Sequence, residues 1–112
     1  SAPVDMLMEE VFEYVRMHLP QEITLDAMAS ALHISKFYLC HIFKRKTGIT
    51  LMQYVLNRRI TTAKQLLSTT RYSVTEISVR VGYNSAAYFA KLFKDMTGVS
   101  PSQYRESMEQ SK

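Results

Sequence analysis

SKFYLCHIFKRKTG, residues 35–48, is the stretch whose reading decides the fold. As a helix it places Leu39, Ile42 and Phe43 on one side, at spacings of three and four. At about 100° per residue, Phe37, Cys40, His41 and Lys44 form a second stripe on the opposite side. Ser35 is a suitable N-cap, and Gly48 can end the helix in the left-handed conformation that glycine reaches at least cost. Ile49 would then fold back toward Phe43. One face anchors in a core, while the other carries cations, an imidazole and an aromatic ring without a single acid. That is the pattern of a helix made to be inserted into something.

Charge along the chain follows the same division. The net charge of +4 is spread unevenly over 112 residues. Residues 1–26 hold six acids against Arg16, a balance of −5. Residues 27–75 hold eight bases and no acid, and residues 76–112 come to +1. Forty-nine consecutive residues without Asp or Glu, in a segment patterned for folding, point to a polyanionic partner rather than a merely solvated face.

Composition sets the outer limits. This length fits one domain or two very small ones, and a hydrophobic content of 46% can fill a core. Three Gly and three Pro argue against disorder. The single Cys40 rules out an internal disulfide and fits a reducing cytosol. No apolar run reaches the ~20 residues of a membrane span, and no signal peptide is visible. The opening SAPVD, without Met, is what a processed or excised piece of a longer chain would show.

Working outward, the periodicity predicts seven helices and no sheet. The first runs over 3–19, with Val4, Met8, Val11, Phe12, Val15 and Leu19 inward. A short helix follows Thr24, and His33-Ile34 makes a tight turn, His being one of the residues that tolerate positive φ. After residues 35–48, Thr50 and Gln53 have capping-box spacing. They open a helix to about Ser68, roughly 27 Å long, with Met52, Val55, Leu56, Ile60, Ala63, Leu66 and Leu67 inward. Ser73 and Glu76 repeat the box before a short helix, Gly82-Tyr83-Asn84 turns, and Ser85 caps a helix ending at Gly98. Ser100 and Pro101 start the last one.

The chain also repeats itself. Tyr38-Leu39, Ile42-Phe43-Lys44, Thr47-Gly48 and Gln53-Tyr54 return fifty residues later as Tyr88-Phe89, Leu92-Phe93-Lys94, Thr97-Gly98 and Gln103-Tyr104. Each unit is a short helix, a tight turn and a longer helix, the helix-turn-helix arrangement. The expected architecture is therefore all-α, with two helix-turn-helix subdomains over 1–50 and 71–112 and a connecting helix over 51–70. Successive major grooves on one side of a duplex lie ~34 Å apart, and two reading helices on one chain can answer that spacing. A bundle repeated by duplication alone has no use for acid-free outer faces.

These matched positions carry a family resemblance. Leu39 with Ile42-Phe43-Lys44 and Gly48, Arg59 with Ala63 and Leu66-Leu67, and Gly82-Tyr83 carry its first part. Tyr88-Phe89, Leu92-Phe93-Lys94, Gly98 and Pro101-Ser102-Gln103-Tyr104-Arg105 continue it. From about Thr24 to Arg105 the chain resembles the DNA-binding domain of AraC/XylS-type transcriptional regulators. Ser78 and Ser85 depart from the Ala and Asp common at those positions. The resemblance implies seven helices, double-stranded DNA as partner through both reading helices, and a separate effector or receiver domain elsewhere. It also implies a bacterial cytoplasmic protein, at the nucleoid when bound to DNA.

The candidate contact residues on the first reading helix are Lys36, Phe37, Cys40, His41, Lys44 and Arg45. His41 suits a purine edge and Phe37 a thymine methyl. Lys36, Lys44 and Arg45 suit phosphates, with Arg58 and Arg59 adjoining. On the second helix the set is Ala86, Ala87, Ala90, Lys91 and Lys94, where readout would rest on methyl contacts, Lys91 and shape. Tyr88 and Phe89 both read as core. Cys40 with His41, His33 and His18 lacks zinc spacing, so no metal or cofactor is expected. Catalysis is not expected either, since paired carboxylates, a nucleophile with its base and a phosphate-cradling Gly loop are all missing. One DNA-repair methyltransferase class carries a similar module, with its reactive Cys outside it. The competing reading is a helical adaptor that docks another protein, such as RNA polymerase.

Overall fold

In the computed structural model, which describes residues 1–111, seven helices follow one another and no strand occurs among the described residues. They are α1 (Ala2–His18), α2 (Leu25–Ala31), α3 (Lys36–Thr47), α4 (Leu51–Thr69), α5 (Val74–Arg80), α6 (Ala86–Thr97) and α7 (Pro101–Gln110). The chain divides into two compact units, Ser1–Asn57 and a second from Arg58 onward, with the dividing line inside α4.

The first unit closes around Val11, Val15, Met28, Leu39, Phe43, Leu51 and Val55, all buried. Phe12, Phe43 and Tyr54 meet as a ring triad, with centroids 5.3–6.1 Å apart. Phe12 keeps one edge in solvent at the rim of this triad, instead of the fully inward position its spacing suggests. In the second unit Ile60, Ala63, Leu67, Ile77, Val81, Phe89 and Phe93 are buried. The internal repeat survives as geometry: Phe43 lies 5.4 Å from Tyr54, and Phe93 lies 5.6 Å from Tyr104.

Turn chemistry is shared in the same way. His33 takes a φ of 57° and Gly82 one of 100°, each following a short helix. The next amide reaches back to α2 or α5, Ile34 to the Ala29 carbonyl and Tyr83 to the Ser78 carbonyl. Gly48 and Gly98 end α3 and α6 at φ 82° and 85°, donating to the carbonyls of Lys44 and Lys94. A Cβ at either glycine would meet nothing within 4 Å, so the left-handed backbone alone is what asks for glycine.

Two expectations are corrected. Met52 is exposed and Leu51 is buried in its stead, because α4 starts at Leu51 and its inward line begins with the pair Leu51 and Val55, four residues apart. Of the capping boxes, only that of α7 closes on both sides, through Ser100 and Gln103. Thr50 and Ser73 accept from the amides of Gln53 and Glu76. Gln53 then turns away to donate to Asn57 Oδ1 at 2.8 Å, and the Glu76 carboxylate accepts from the Ser73 hydroxyl instead of a backbone amide.

Candidate nucleic-acid interface

On α3, Ser35 Oγ accepts from the Tyr38 amide at 3.0 Å and sets the helix start. Leu39, Ile42 and Phe43 are buried, so rotation about the helix axis is fixed by the core. Everything 180° away is consequently held out to solvent. Phe37 is 88% exposed, a degree unusual for so large an apolar ring. Phe37, Cys40, His41, Lys44 and Arg45 together line one open hollow of about 480 Å³. Five of the six candidate residues of this helix are thus brought together. Cys40 is half-buried at the floor of that face, and the others stand exposed.

Lys36, the sixth, leans the other way. Its Nζ lies 3.3 Å from Asp26 Oδ1 on α2, in a solvent-exposed pair. The acid-free run stops one residue short of Asp26, yet the fold returns that carboxylate to the edge of the basic face.

On α6, Ser85 Oγ accepts from the Tyr88 amide at 3.1 Å, and Phe89 and Phe93 are buried. Ala87, Lys91 and Lys94 are exposed, with Ala86 and Ala90 half-buried beside them. The outer face therefore carries methyls and two cations where that of α3 carries a ring, an imidazole and two cations. Tyr88, expected in the core with Phe89, is instead 55% exposed. Its ring meets Tyr83 edge-on at 5.9 Å, which steadies it at the surface next to Lys91, one turn on. The wheel carried this signal, since Tyr88 sits 100° away from Phe89 and shares a side with Lys91. Tyr38 occupies the matching place on α3 and is exposed as well.

Arg59 was expected beside the basic face and is found inside the second unit, 6% exposed. Its Nη1 donates to the Val81 carbonyl, and its guanidinium lies over the Tyr83 ring, 5.4 Å from the centroid. Burial lowers its pKa from the ordinary arginine value, and burial also raises that of the Tyr83 phenol, which the Arg59 charge partly offsets. Arg105 has a comparable structural task, donating from Nε to the Leu67 carbonyl and from Nη2 to that of Thr70 at the end of α4. Ser78, one of the two departures from the family pattern, is fully buried and satisfies its hydroxyl on the Thr75 carbonyl.

Among the described residues no three His, Cys, Asp or Glu side chains gather as a metal site would require. No helix among them is long and apolar enough to cross a membrane.

With this geometry in place, comparison with known proteins is direct. Residues 28–107 match the model of the family described as helix-turn-helix domain. An uncharacterised HTH-type transcriptional regulator of Escherichia coli K12, YdiP, is 38% identical over 105 residues, 94% of this chain and 35% of that protein. The arabinose operon regulatory protein of the same organism is 34% identical over 110 residues, 96% of this chain and 37% of the relative. The chain thus spans about a third of the length of these curated relatives. Among solved structures, the DNA-binding domain of the global transcriptional factor AdpA, in complex with a target DNA, superposes with a TM-score of 0.86 at 27% identity, covering 93% of this chain and 94% of that one. The family match over residues 28–107 and the 34–38% identity with these regulators show that the chain, with its two helix-turn-helix units, belongs to the AraC/XylS-type transcriptional regulators.

Proposed function

We propose that this chain is the sequence-specific, double-stranded DNA-binding part of a transcription regulator, with α3 and α6 entering successive major grooves. The observation that carries the reading is the α3 face: an exposed ring, an imidazole and two cations around one hollow, held outward by a buried opposite side. In this reading Phe37 and His41 meet base edges, with Cys40 packed between them, and Lys44 and Arg45 meet phosphates. Lys36 joins them when it exchanges Asp26 for a phosphate. On α6 the methyls of Ala86, Ala87 and Ala90 meet the groove, while Lys91 and Lys94 supply charge. Segment 51–70 serves as the connector between subdomains 1–50 and 71–112. The chain performs no catalysis of its own, and it works in the bacterial cytoplasm, at the nucleoid when bound.

The relatives' greater length supports a separate effector or receiver domain in the whole protein. RNA polymerase fits as a second partner of an activator. Binding to a duplex should weaken steeply with salt, with a log–log slope of about 0.9 for each phosphate neutralised and about four to eight phosphates engaged. A titration in which affinity hardly changes between low and physiological salt would overturn the reading.

A further inference from the structure

Helix α1 has two apolar lines, and the core uses only one of them. Met8, Val11 and Val15 are buried. On the far side Met6, Glu10, Glu13 and Met17 fall within about 60° of one another around the helix axis. Met6 and Met17 are 62% and 63% exposed, and they flank a hollow of about 470 Å³ that Leu32, at the end of α2, helps to floor. Glu9, Glu10 and Glu13 line it too. At one end Tyr14 and His18 stack at 3.9 Å, with His18 Nδ1 2.9 Å from the Tyr14 carbonyl, which gives the hollow a fixed wall.

The sign of charge tells what can lie there. Arg16 is occupied by Glu13, its Nε donating at 2.9 Å, and that contact holds the Glu13 carboxyl below the usual range. Glu9 and Glu10 stay uncompensated, in a segment of net −5. Nucleic acid and anionic lipid are repelled from this face. Methionines adapt their shape to an incoming apolar side chain, and acids around them select a cation-flanked one. Met6 and Met17 stand eleven residues apart, about 16 Å along the axis, the length of about three turns of a partner helix.

We propose that the outer face of α1 is a docking groove for an amphipathic helix of another protein, one that carries an apolar stripe flanked by Lys or Arg. The surface is independent of how α3 and α6 meet DNA, so the two readings fail separately. The probe is a synthetic Leu/Lys amphipathic helix of about three turns, with a Leu/Glu twin as control, followed through methionine-methyl NMR of the DNA-free protein. The Leu/Lys peptide should shift the methyls of Met6 and Met17 selectively, and the twin should not. Combined Glu9→Gln, Glu10→Gln and Glu13→Gln should weaken peptide binding at least tenfold, as should Met6→Gln with Met17→Gln, and neither should reduce duplex affinity. Equal shifts with the Leu/Glu twin, full affinity in either variant, or self-association of the protein through these methionines in the absence of peptide would each overturn the proposal.

Discussion

Helices α3 and α6 are built on one plan and dressed for different work. Each is twelve residues long, starts under a serine cap, ends on a left-handed glycine and buries residues four apart, Leu39 with Phe43 and Phe89 with Phe93. Outside, the first presents Phe37, Cys40, His41, Lys44 and Arg45 around a hollow, and the second presents alanines, two lysines and a tyrosine. The lesson is that the inward residues and the caps set where a reading helix lies and how it is rotated. The outward residues are then free to differ without cost to the fold.

If the frames are equivalent, breaking them should cost the same. Phe43→Ala and Phe93→Ala each remove a fully buried ring at matching places in the repeat, and each should lower stability by about 3–5 kcal/mol. Urea unfolding followed by circular dichroism reads both. A loss below about 1.5 kcal/mol for one of them, against several for the other, would show that the shared plan does not carry equal energy in the two units.

Arg59 separates frame from face in a second way. By composition it belongs to the basic stretch, and by position it belongs to the core. Arg59→Met should cost about 1–3 kcal/mol of stability, because the buried Val81 carbonyl loses its donor, while the salt slope of DNA binding stays put. Arg45→Ala should do the reverse, leaving stability alone and cutting the slope by about 0.9. A slope that fell for Arg59→Met in a protein still fully folded would return Arg59 to the DNA face.

The two faces can then be compared directly. His41→Ala should relax base preference within one half-site at a cost of roughly 1–3 kcal/mol in binding. Lys91→Ala should weaken the other half-site and lower the salt slope, with less change in preference. Selection from random duplexes tests the comparison as a whole. A sharper consensus under α6 than under α3 would reverse the assignment.

Much of this was legible beforehand, for physical reasons that also explain the misses. Helix starts and stops depend on a residue and its near neighbours, so Ser35, Gly48, Ser85, Gly98 and the turn at His33 can be read locally. The line Leu39, Ile42, Phe43 follows from periodicity alone. Arg59 could not be read so, because its placement depends on a carbonyl twenty-two residues away and on the Tyr83 ring. Tyr88 faces outward beside the buried Phe89 because adjacent helical residues diverge by about 100°, so an inward neighbour says nothing of its own side. The start of α4 at residue 51 is as expected, and Met52 differs only in rotation: the inward line runs through Leu51 and Val55, which leaves its neighbour Met52 facing out. The pair Lys36–Asp26 joins two helices, and a charge count along the chain cannot see it.

That pair gives the smallest and sharpest test of the comparison. In the repeat, Asp26 corresponds to Thr75 and Lys36 to Ala86, so the second unit has no equivalent pair. Both side chains are exposed, and such pairs contribute about 0–1 kcal/mol, so Asp26→Asn should leave stability within that range. Its effect on binding should be favourable. Lys36 now divides its time between a carboxylate and any phosphate that approaches. Removing the carboxylate frees the ammonium and also takes a negative charge from the rim of the α3 face. Affinity for duplex at low salt should rise severalfold, and the gain should fade as salt rises, since exposed charges beyond ~10 Å are screened at about 0.1 M. Thr75→Asp, placing an acid at the matching position in the second unit, should weaken binding over the same salt range. Lys36→Ala combined with Asp26→Asn separates the two contributions. If the double variant keeps the whole gain, Lys36 touches no phosphate and Asp26 acts by repulsion alone; if the gain disappears with Lys36, the lysine is a phosphate contact that its own fold holds in check.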